Sequence, residues 1–414
     1  MINIATVFSG IGAAEHALDL MGVDANIVFA CDNGERYLKP SNKALLKQFE
    51  EETDPAKKEE LARQLYEDSK KAIEETLPPV EDPVARELAV CKLYDTTRRV
   101  NYVEQSYRAN YHIGEGRWFQ DVRFLDGTRF ANKVDVFVGG SPCQSFSTYG
   151  KKGGLGDARG TLFYEYARLV QQIQPTVFIY ENVKGLRIHK NGDTWRRMQE
   201  IFKSLQYDIY EEVLDAVDYG LPQMRKRMFV IGIRKDVEHL EFKFPRKRKL
   251  KTKVAEYLDK EVADDYYLPE KGFKWVTETE RNDNKARVNR DVMGCQTAVQ
   301  QVNWSGDFRI EPAKESHKAN PRIYVTKWGD IEEAVARKLT PAECFRLMGF
   351  KRFNITVPDN VAYRQAGNSI AVPVMQAVLE SVFKAVPSLK AKDGRKTKNR
   401  RFHKVAGNVR GRKR

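Results

Sequence analysis

The chain has 414 residues, of which 41% are hydrophobic and 31% are charged, and its formal net charge at pH 7 is +14. This length allows one large domain with a smaller one. Because there is no apolar run of about 18 residues and no leader-like start, we expect a cytoplasmic protein without signal peptide or membrane span. The five cysteines form no CxxC pair and the six histidines no HExxH spacing, which argues against a disulfide framework and against a bound metal.

Short runs of β-branched and aromatic residues alternate with longer amphipathic stretches over residues 1–241. The predicted strands are IATVF, NIVFAC, VDVFVGG, TVFIYE, DIYEEVL and MFVIGIR, and the predicted helices include GTLFYEYARLVQQIQ and DTWRRMQEIFKSLQ. This alternation predicts an α/β fold with a doubly wound, mostly parallel sheet. Ligands of such sheets bind beyond the carboxyl ends of the strands.

Three stretches depart from the alternation. Residues 35–108 are charged and favour helices, so we interpret them as a helical insertion without a core of its own. Periodicity fades over residues 242–336, which predicts a second, smaller domain, and residues 337–384 return to the first domain. Residues 385–414 are expected to be a disordered tail.

The C-terminal tail carries most of the net charge. From Lys384 to Arg414 there are thirteen Lys or Arg and one Asp, a net charge of +12, which leaves only +2 for the rest of the chain. A tail of this kind indicates an arm that binds nucleic acid phosphates. A tail that only solubilises the protein is the alternative.

The first predicted strand runs into a glycine turn that opens a helix, and its residues are Phe8, Ser9, Gly10, Ile11 and Gly12. Glycines at such a turn let a ligand approach the backbone and the free N–H groups of the helix, although a plain turn would also contain them. The pattern GxGxxG is incomplete because Glu15 occupies its third glycine position. This disfavours a dinucleotide and suits an adenosyl ligand without phosphate.

Two acidic residues follow strands near this turn. Asp32, with Asn33 after it, ends the second predicted strand, where an acid typically binds ribose hydroxyls. Asp121, followed by Val122, precedes VDVFVGG and could accept a hydrogen bond from the adenine amino group. The alternative is that Asp121 only caps a turn.

A candidate nucleophile follows the strand VDVFVGG, where the sequence reads Ser141-Pro142-Cys143-Gln144. A cysteine just past the carboxyl end of a strand, held by a proline, lies where α/β enzymes place reactive groups. The alternative is a buried structural cysteine, but the small, polar neighbours favour a reactive one. The next stretch, GKKGGLGDARG, is glycine-rich and basic, which predicts a loop that closes over a polyanion.

Two further polar motifs flank predicted strands. Glu181 and Asn182 end the strand TVFIY, and a carboxylate there could be a general acid or could pair with a surface lysine. Arg225 and Arg227, preceded by Gln223, lie immediately before MFVIGIR. We expect both arginines to point toward the same cleft, with a solvated charge run as the alternative.

These motifs, in this order, resemble the DNA (cytosine-5)-methyltransferase family. The matching segments are FSGIG, GGSPCQSFS, ENV, QMRKR, RKLTPAECFRLMGF and QAGNSIAVPV. The similarity extends from Asn3 to Val382 and leaves out most of the insertion and the variable region. Two positions depart from the pattern: Thr6 replaces an acid that the family often carries, and Ala13 replaces a glycine. Both changes concern the packing of the cofactor.

The resemblance implies methyl transfer from S-adenosylmethionine to carbon 5 of a cytosine that is flipped out of duplex DNA. Cys143 would add to carbon 6, and Glu181, with a pKa raised by a desolvated pocket, would protonate N3. Arg225 and Arg227 would bind O2 and favour the thiolate. A water molecule beside Asn182 is the candidate acceptor of the carbon 5 proton.

The resemblance also extends the expected cofactor site to the C-terminal motif. Its candidate residues are Phe8, Gly10, Ile11, Gly12, Asp32, Asn33, Asp121, Val122, Pro142, Leu162, Asn368 and Ser369. Thr340 and Glu343 form a capping-box signature that predicts a supporting helix, and PVMQAVLESVFKAV should be a helix beside the first strand. Residues 242–336 would then be the target-recognition domain. We expect a monomer that acts near the nucleoid of a bacterial or phage-infected cell, with a cognate restriction endonuclease as a candidate partner.

Three other functions remain open from the sequence. A tRNA cytosine-5 methyltransferase would share this chemistry, and the modest size of the variable region keeps that alternative. A catalytically silent DNA-binding relative would keep the fold, although Cys143, Glu181 and Arg225 are intact. A thiol hydrolase is disfavoured because no histidine lies near the motifs.

Overall fold

The computed structural model describes residues 1–36, 38, 43–79, 81–141, 162–277, 286–299, 304, 306–313, 322–325, 331–392 and 394. The candidate nucleophile Cys143, its neighbour Pro142 and the glycine-rich stretch after them lie outside the described residues, as does the end of the basic tail. No helix within the described ranges is both long enough and apolar enough to cross a membrane.

The described residues form the following strands and helices. The strands are β1 (Ile2–Val7), β2 (Ala25–Cys31), β3 (Trp118–Phe119), β4 (Val136–Gly139), β5 (Val177–Val183), β6 (Tyr207–Asp215), β7 (Lys226–Arg234), β8 (Ala286–Val288), β9 (Gly306–Pro312), β10 (Arg322–Val325) and β11 (Ile331–Lys338). The helices are α1 (Ala13–Leu20), α2 (Lys43–Glu51), α3 (Pro55–Thr76), α4 (Pro83–Asp95), α5 (Tyr102–Asn110), α6 (Leu162–Ile173), α7 (Asp193–Ser204), α8 (Glu270–Thr277), α9 (Pro341–Leu347), α10 (Asp359–Asn368), α11 (Val372–Ala385) and α12 (Pro387–Lys392).

Strands β1 to β7 form one sheet in the order β3-β2-β1-β4-β5-β7-β6. Neighbouring strands are parallel except for β7, which is antiparallel to both β5 and β6. The chain winds outward from β1 in both directions, so helices cover both faces. This confirms the predicted doubly wound, mostly parallel sheet. The two-residue strand β3 was not predicted, because a pair of residues shows no periodicity.

The two faces of the large sheet have separate hydrophobic cores. One core joins β1 to helices α1, α9 and α11, and the other joins β4 and β5 to helices α6 and α7. The central strands are buried on both faces, and for this reason they read as continuous apolar runs and not as alternating ones. The capping box of α9 is present: Thr340 Oγ1 accepts from the Glu343 backbone N–H at 3.2 Å, and Glu343 Oε2 accepts from the Thr340 N–H at 2.7 Å.

The insertion contains helices α2, α3 and α4, while α5 is the crossover that leads to β3. Ile73, Val90 and Tyr94 of the insertion pack with Phe124, which lies outside it. The small core of the inserted helices is therefore shared with the large domain.

The second domain is built on a four-stranded sheet in the order β10-β11-β9-β8. Leu268, Phe273 and Phe308 are among the residues of its own core. Phe242 and Val254, however, pack into the core of the large domain. Met293 belongs to the large-domain core as well, so the two cores do not separate at one point of the chain. The boundary at 242 that we predicted does not capture this packing, because the irregular segment has no periodicity to reveal it.

The C-terminal region differs from the predicted disordered tail at its start. Residues 387–392 form helix α12, in which Leu389 is 1% exposed, and Val386 before it is fully buried. Lys392 Nζ lies 2.8 Å from Asp135 Oδ1, and the N-terminal amine of Met1 donates to the Lys392 carbonyl at 2.7 Å. Burial of two apolar side chains thus orders a segment whose composition alone favours disorder.

Candidate active site

The polar motifs gather at one edge of the large sheet. The carboxyl ends of β1 to β5 meet there because these strands are parallel. Strand β7 runs in the opposite direction, so its amino end reaches the same edge, where Arg227 pairs with Val183, the last residue of β5. The glycine turn, the strand-end acids and the arginines are thus brought to one cleft.

The glycine turn after β1 has an unusual backbone. Phe8, Gly10 and Gly12 have φ angles of 53°, 51° and 75°, in the left-handed region that favours glycine. A Cβ atom on Gly10 would meet nothing within 4 Å, whereas one on Gly12 would lie 2.3 Å from the Tyr111 ring. The turn therefore packs tightly on one side and leaves open space beside Gly10, where a ligand can approach the backbone.

Asp32 lies directly beside this turn. Its Oδ2 accepts from the Gly10 N–H at 3.0 Å, and its Oδ1 accepts from the Gly34 N–H at 2.8 Å. Burial raises the pKa of the Asp32 carboxyl, while the two N–H groups oppose that shift. The Asn101 side chain donates to the Asp32 carbonyl at 3.0 Å, so the strand end is held from both sides.

Asp121 caps a short 3-10 turn that starts at Val122. Its Oδ1 accepts from the Arg123 backbone N–H at 3.1 Å, and its Oδ2 accepts from Arg123 Nη2 at 2.6 Å and from the Tyr94 hydroxyl at 2.9 Å. The capping role that we considered from the sequence is therefore present. The carboxylate still lies at the same edge of the sheet as Asp32, because Asp121 follows β3 and β3 pairs with β2.

The remaining candidate cofactor residues differ in what they offer a ligand. Asn33 accepts from the Glu35 N–H at 3.0 Å and donates to the Arg36 carbonyl at 3.0 Å. Asn368 donates to Glu35 Oε1 at 3.2 Å, which brings the C-terminal motif to the loop after β2. The side chains of Ile11 and Val122 pack in the hydrophobic cores, and those of Phe8 and Leu162 do so in part. Ser369 is buried.

These groups fit the adenosyl ligand that the resemblance implies. Asp32 is a partly buried acceptor for hydroxyl groups, and the open backbone at Gly10 can admit an uncharged nucleoside beside it. Among the described residues no group of three or more His, Cys, Asp or Glu side chains could hold a metal ion.

The catalytic candidate Glu181 forms an ion pair with Arg227. Arg227 Nε lies 3.2 Å from Glu181 Oε1, and the two side chains are 17% and 14% exposed. Burial raises the pKa of Glu181, and the guanidinium groups of Arg227 and Arg225 only partly oppose this shift. The side chain is thus poised to hold a proton above the pH range that is usual for a glutamate.

Glu181 also touches the segment that leads to the candidate nucleophile. A Cβ atom on Gly140 would lie 2.5 Å from the Glu181 carbonyl oxygen and 3.1 Å from Glu181 Oε2. No larger side chain fits there without a shift of the neighbouring backbone. Because Gly140 precedes Cys143 by only three residues, the acid lies beside the residues that lead to the thiol in the chain.

Asn182 supports the same segment from the other side. Its Nδ2 donates to the Ser141 carbonyl at 3.2 Å and to the Tyr180 hydroxyl at 2.9 Å, and the Tyr180 hydroxyl is hydrogen bonded to Ser141 Oγ at 2.7 Å. All of these atoms are buried. The contacts of Asn182 therefore fix the end of β4, a role that the sequence did not suggest.

Arg225 is buried and bound by main-chain carbonyls. Its Nη1 donates to the Gln296 carbonyl at 2.8 Å, and its Nη2 donates to the carbonyls of Gly367 at 2.8 Å and Ser369 at 2.6 Å. Gln223 acts beside it, since its Oε1 accepts from the Gln296 N–H at 3.2 Å. The motif that precedes β7 thus joins the second domain to the C-terminal cofactor motif.

A second thiol, Cys295, lies beside the two arginines and was missed from the sequence. Its Sγ lies 3.4 Å from Arg225 Nη1 and 3.7 Å from Arg227 Nη2. Burial alone would raise the pKa of this thiol, but the two guanidinium groups outweigh burial and lower it. No motif marks Cys295, because 68 residues separate it from Arg227 and the connecting segment is aperiodic.

Comparisons with known proteins identify the family of the chain. Residues 98–384 match the family of C-5 cytosine-specific DNA methylases. The type II methyltransferase M.SsoII of Shigella sonnei is 32% identical over 291 residues, which are 69% of this chain and 73% of that protein. The type II methyltransferase M.HhaI of Haemophilus parahaemolyticus is 31% identical over 251 residues, 60% of this chain and 75% of that protein.

A solved structure extends the likeness to nearly the whole chain. The crystal structure of the S. pombe Dnmt2 methyltransferase has a TM-score of 0.57 and 16% sequence identity, and the match covers 93% of this chain and 99% of that one. At this identity the likeness concerns the fold alone.

Proposed function

Because the chain belongs to the C-5 cytosine-specific DNA methylase family, we propose that it transfers a methyl group from S-adenosylmethionine to carbon 5 of a cytosine in a specific sequence of duplex DNA. The observation that carries this proposal is the partly buried pair of Glu181 and Arg227, which contacts the segment leading to Cys143. This pair supplies an acid and a cation where a covalent attack on the base would place negative charge.

The proposed reaction begins with Cys143. Its thiolate adds to carbon 6 of the cytosine, and N3 takes a proton from Glu181, so carbon 5 becomes nucleophilic. The raised pKa of Glu181 supports this donation at neutral pH. Carbon 5 then gains the methyl group and loses its proton to water. As the Cys143 sulfur leaves carbon 6 as a thiolate, N3 returns its proton to Glu181.

The two arginines receive different roles in this proposal. Arg227, beside Glu181 and at the edge of the cleft, stabilises charge on the base at O2. The described donors of Arg225 reach protein carbonyls, so it positions the C-terminal motif and the segment at Gln296 rather than the base. Asn182 likewise positions Ser141 and thereby the start of the Cys143 loop.

S-adenosylmethionine supplies an electrophilic methyl group on a sulfonium centre when it is bound. In our proposal Asp32 accepts from the ribose hydroxyls, Asp121 accepts from the adenine amino group, and the turn at Gly10 lies along the nucleoside. Asn368 and Ser369 belong to the methionine end. The open space beside Gly10 and the partly buried Asp32 carboxyl support this arrangement.

Duplex DNA would bind between the two domains. A base that stays stacked in the duplex cannot reach Cys143, so the target cytosine must be flipped out. The predicted loop at 145–160 and the second domain would contact the DNA grooves and read the neighbouring bases. The bacterial type II relatives support a role in the cytoplasm of a bacterial or infected cell. We further propose that the protein acts as a monomer, with a cognate endonuclease as a candidate partner.

Two measurements test the proposal. Bisulfite sequencing of DNA from cells that express the chain should show methylation of one short sequence. Transfer of a tritiated methyl group should occur to duplex DNA and not to tRNA, and Cys143→Ser should abolish transfer while DNA binding survives. Transfer to tRNA alone would favour an RNA methyltransferase, and no transfer to either would indicate a silent relative.

Covalent trapping tests the nucleophile itself. DNA that carries 5-fluorocytosine should form a stable adduct, because fluorine cannot leave carbon 5 as a proton does. Peptide mapping should place the adduct on Cys143. An adduct on Cys295 would show that the wrong thiol was assigned.

A further inference from the structure

One tyrosine of the inserted helices contacts a candidate cofactor residue at the edge of the large sheet. Tyr94 lies in the last turn of α4 and is 1% exposed. Its hydroxyl donates to Asp121 Oδ2 at 2.9 Å. A residue of the insertion therefore contacts the acid at the end of β3 directly.

Arg36 fixes this arrangement from the other side. Its Nε donates to the Asn33 carbonyl at 3.2 Å, its Nη1 donates to the Tyr94 carbonyl at 3.2 Å, and its Nη2 donates to Gln120 Oε1 at 2.5 Å. The guanidinium also lies 5.3 Å from the centre of the Tyr94 ring. One buried cation thus joins the end of β2, the end of α4 and the residue before Asp121.

The orientation of the Asp121 carboxylate depends on two donors of different origin. Arg123 binds it from two residues away, with Nε at 2.9 Å from Oδ1 and Nη2 at 2.6 Å from Oδ2. Tyr94 binds Oδ2 from the insertion. Burial and the charge of Asp121 raise the pKa of the Tyr94 phenol, so its hydroxyl remains a proton donor at neutral pH.

We propose that helix α4 of the insertion forms part of the cofactor site, and that Tyr94 is a positioning residue that holds Asp121 as the acceptor for the adenine amino group. The inference rests on the proposed function, in which Asp121 receives the adenine. Without the Tyr94 hydroxyl, Arg123 alone would orient the carboxylate. Arg123 would then draw the Asp121 carboxylate toward the guanidinium group and away from the sheet edge at which Asp32 lies.

The insertion offers a matched control. Tyr66 of α3 is 7% exposed, and its hydroxyl donates to Glu165 Oε1 at 2.6 Å. Tyr66→Phe therefore removes a similarly buried tyrosine–carboxylate hydrogen bond from the same insertion. Glu165 lies on α6 and belongs to none of the cofactor motifs.

Calorimetric binding of S-adenosylhomocysteine to the full-length protein tests the inference. Tyr94→Phe should raise the dissociation constant about tenfold, which corresponds to one hydrogen bond to a charged group. Tyr66→Phe should change it by less than about twofold, and neither variant should change binding to duplex DNA. Equal affinities for the Tyr94→Phe variant and the wild type would overturn the inference.

A ligand without the amino group separates positioning from a general loss of structure. S-inosylhomocysteine carries a carbonyl where adenine has its amino group, so it cannot donate to Asp121. The wild type should bind it more weakly than S-adenosylhomocysteine, and Tyr94→Phe should weaken its binding no further. A tenfold loss for both ligands would mean that Tyr94 serves only the fold.

Hydrogen exchange of the wild type keeps the inference testable if the Tyr94→Phe variant does not fold. S-adenosylhomocysteine should protect amides at the C-terminal end of α4 as well as those of the glycine turn. Protection of the turn without protection of α4 would contradict the role of the insertion. Absence of any binding by the wild type would instead contradict the proposed function.

Discussion

Arg227 Nε lies 3.2 Å from Oε1 of Glu181, so the protonation of this acid depends on a permanently charged neighbour. Burial raises the pKa of Glu181, and Arg227 is the first of two cations that oppose the rise. The proton on Glu181 is therefore available to higher pH than on an exposed glutamate, but to lower pH than burial alone would allow.

Glu181→Gln should reduce the rate of methyl transfer by about 10²- to 10⁴-fold, the usual contribution of a general acid, because the amide cannot give a proton to N3. Affinities for S-adenosylhomocysteine and for duplex DNA should stay within about twofold, since the side chain keeps its size. Single-turnover kinetics with calorimetry separate the two effects. A variant with full activity would show that N3 is protonated by another group.

Arg227→Ala should move the alkaline limit of activity to higher pH. Removal of the cation lets the pKa of Glu181 rise further, so the protonated acid persists to higher pH even though the maximal rate falls. Measurement of kcat against pH for wild type and variant checks the direction. A shift to lower pH would contradict the assignment of that limit to Glu181.

Arg225→Ala should lower the stability of the protein and its affinities for S-adenosylhomocysteine and duplex DNA. This effect on stability sets it apart from Arg227→Ala. Arg225→Ala leaves the carbonyls of Gln296, Gly367 and Ser369 without their donor, which should lower the free energy of unfolding by about 3 kcal/mol. Urea unfolding of the two arginine variants provides the comparison. Equal stabilities would mean that the carbonyls find other donors.

Cys295 should react with iodoacetamide at least about tenfold faster than Cys91. Both thiols are half-buried, but the arginines lower the pKa of Cys295, whereas burial raises the pKa of Cys91 to about 11. A higher thiolate fraction gives a faster reaction. Mass spectrometry of labelled peptides at pH 8 measures the two rates, and Arg227→Ala should slow the labelling of Cys295 alone.

Removal of residues 395–414 should weaken DNA binding equally on cognate and unrelated sequences and should flatten its salt dependence. These residues include ten Lys or Arg and no Asp or Glu, so they can contact phosphates without reading bases. Fluorescence anisotropy at several salt concentrations measures the slope. The cut must lie beyond α12, because a truncation at 385 would also remove Leu389 from the core.

Much of the cleft could be predicted because strand ends of a parallel sheet meet at one edge. Phe8, Asp32, Glu181 and Arg227 each lie next to an apolar run that is recognisable as a strand, and this placement depends only on local pattern. Helix α11, which follows the C-terminal motif, was predictable because its apolar pattern is also local.

The partners of Arg225 could not be predicted from pattern. Its donors reach Gln296 and Ser369, at separations of 71 and 144 residues, through segments without periodicity. Tyr94 was equally hidden, because a tyrosine in a charged amphipathic helix reads as ordinary packing. Every residue has a main-chain carbonyl, so the residue types in the sequence do not reveal a long-range contact with one.

The backbone of Thr297 comes so close to Gly367 that a Cβ atom there would lie 2.3 Å from the Thr297 carbonyl carbon. A chimera that exchanges the second domain for that of a relative should therefore keep residues 293–298 native and place its crossovers on either side of them. Crossovers within these residues would bring in a foreign main chain at the junction with Gln223 and Arg225. The contact that such an exchange must preserve is thus much shorter than the second domain.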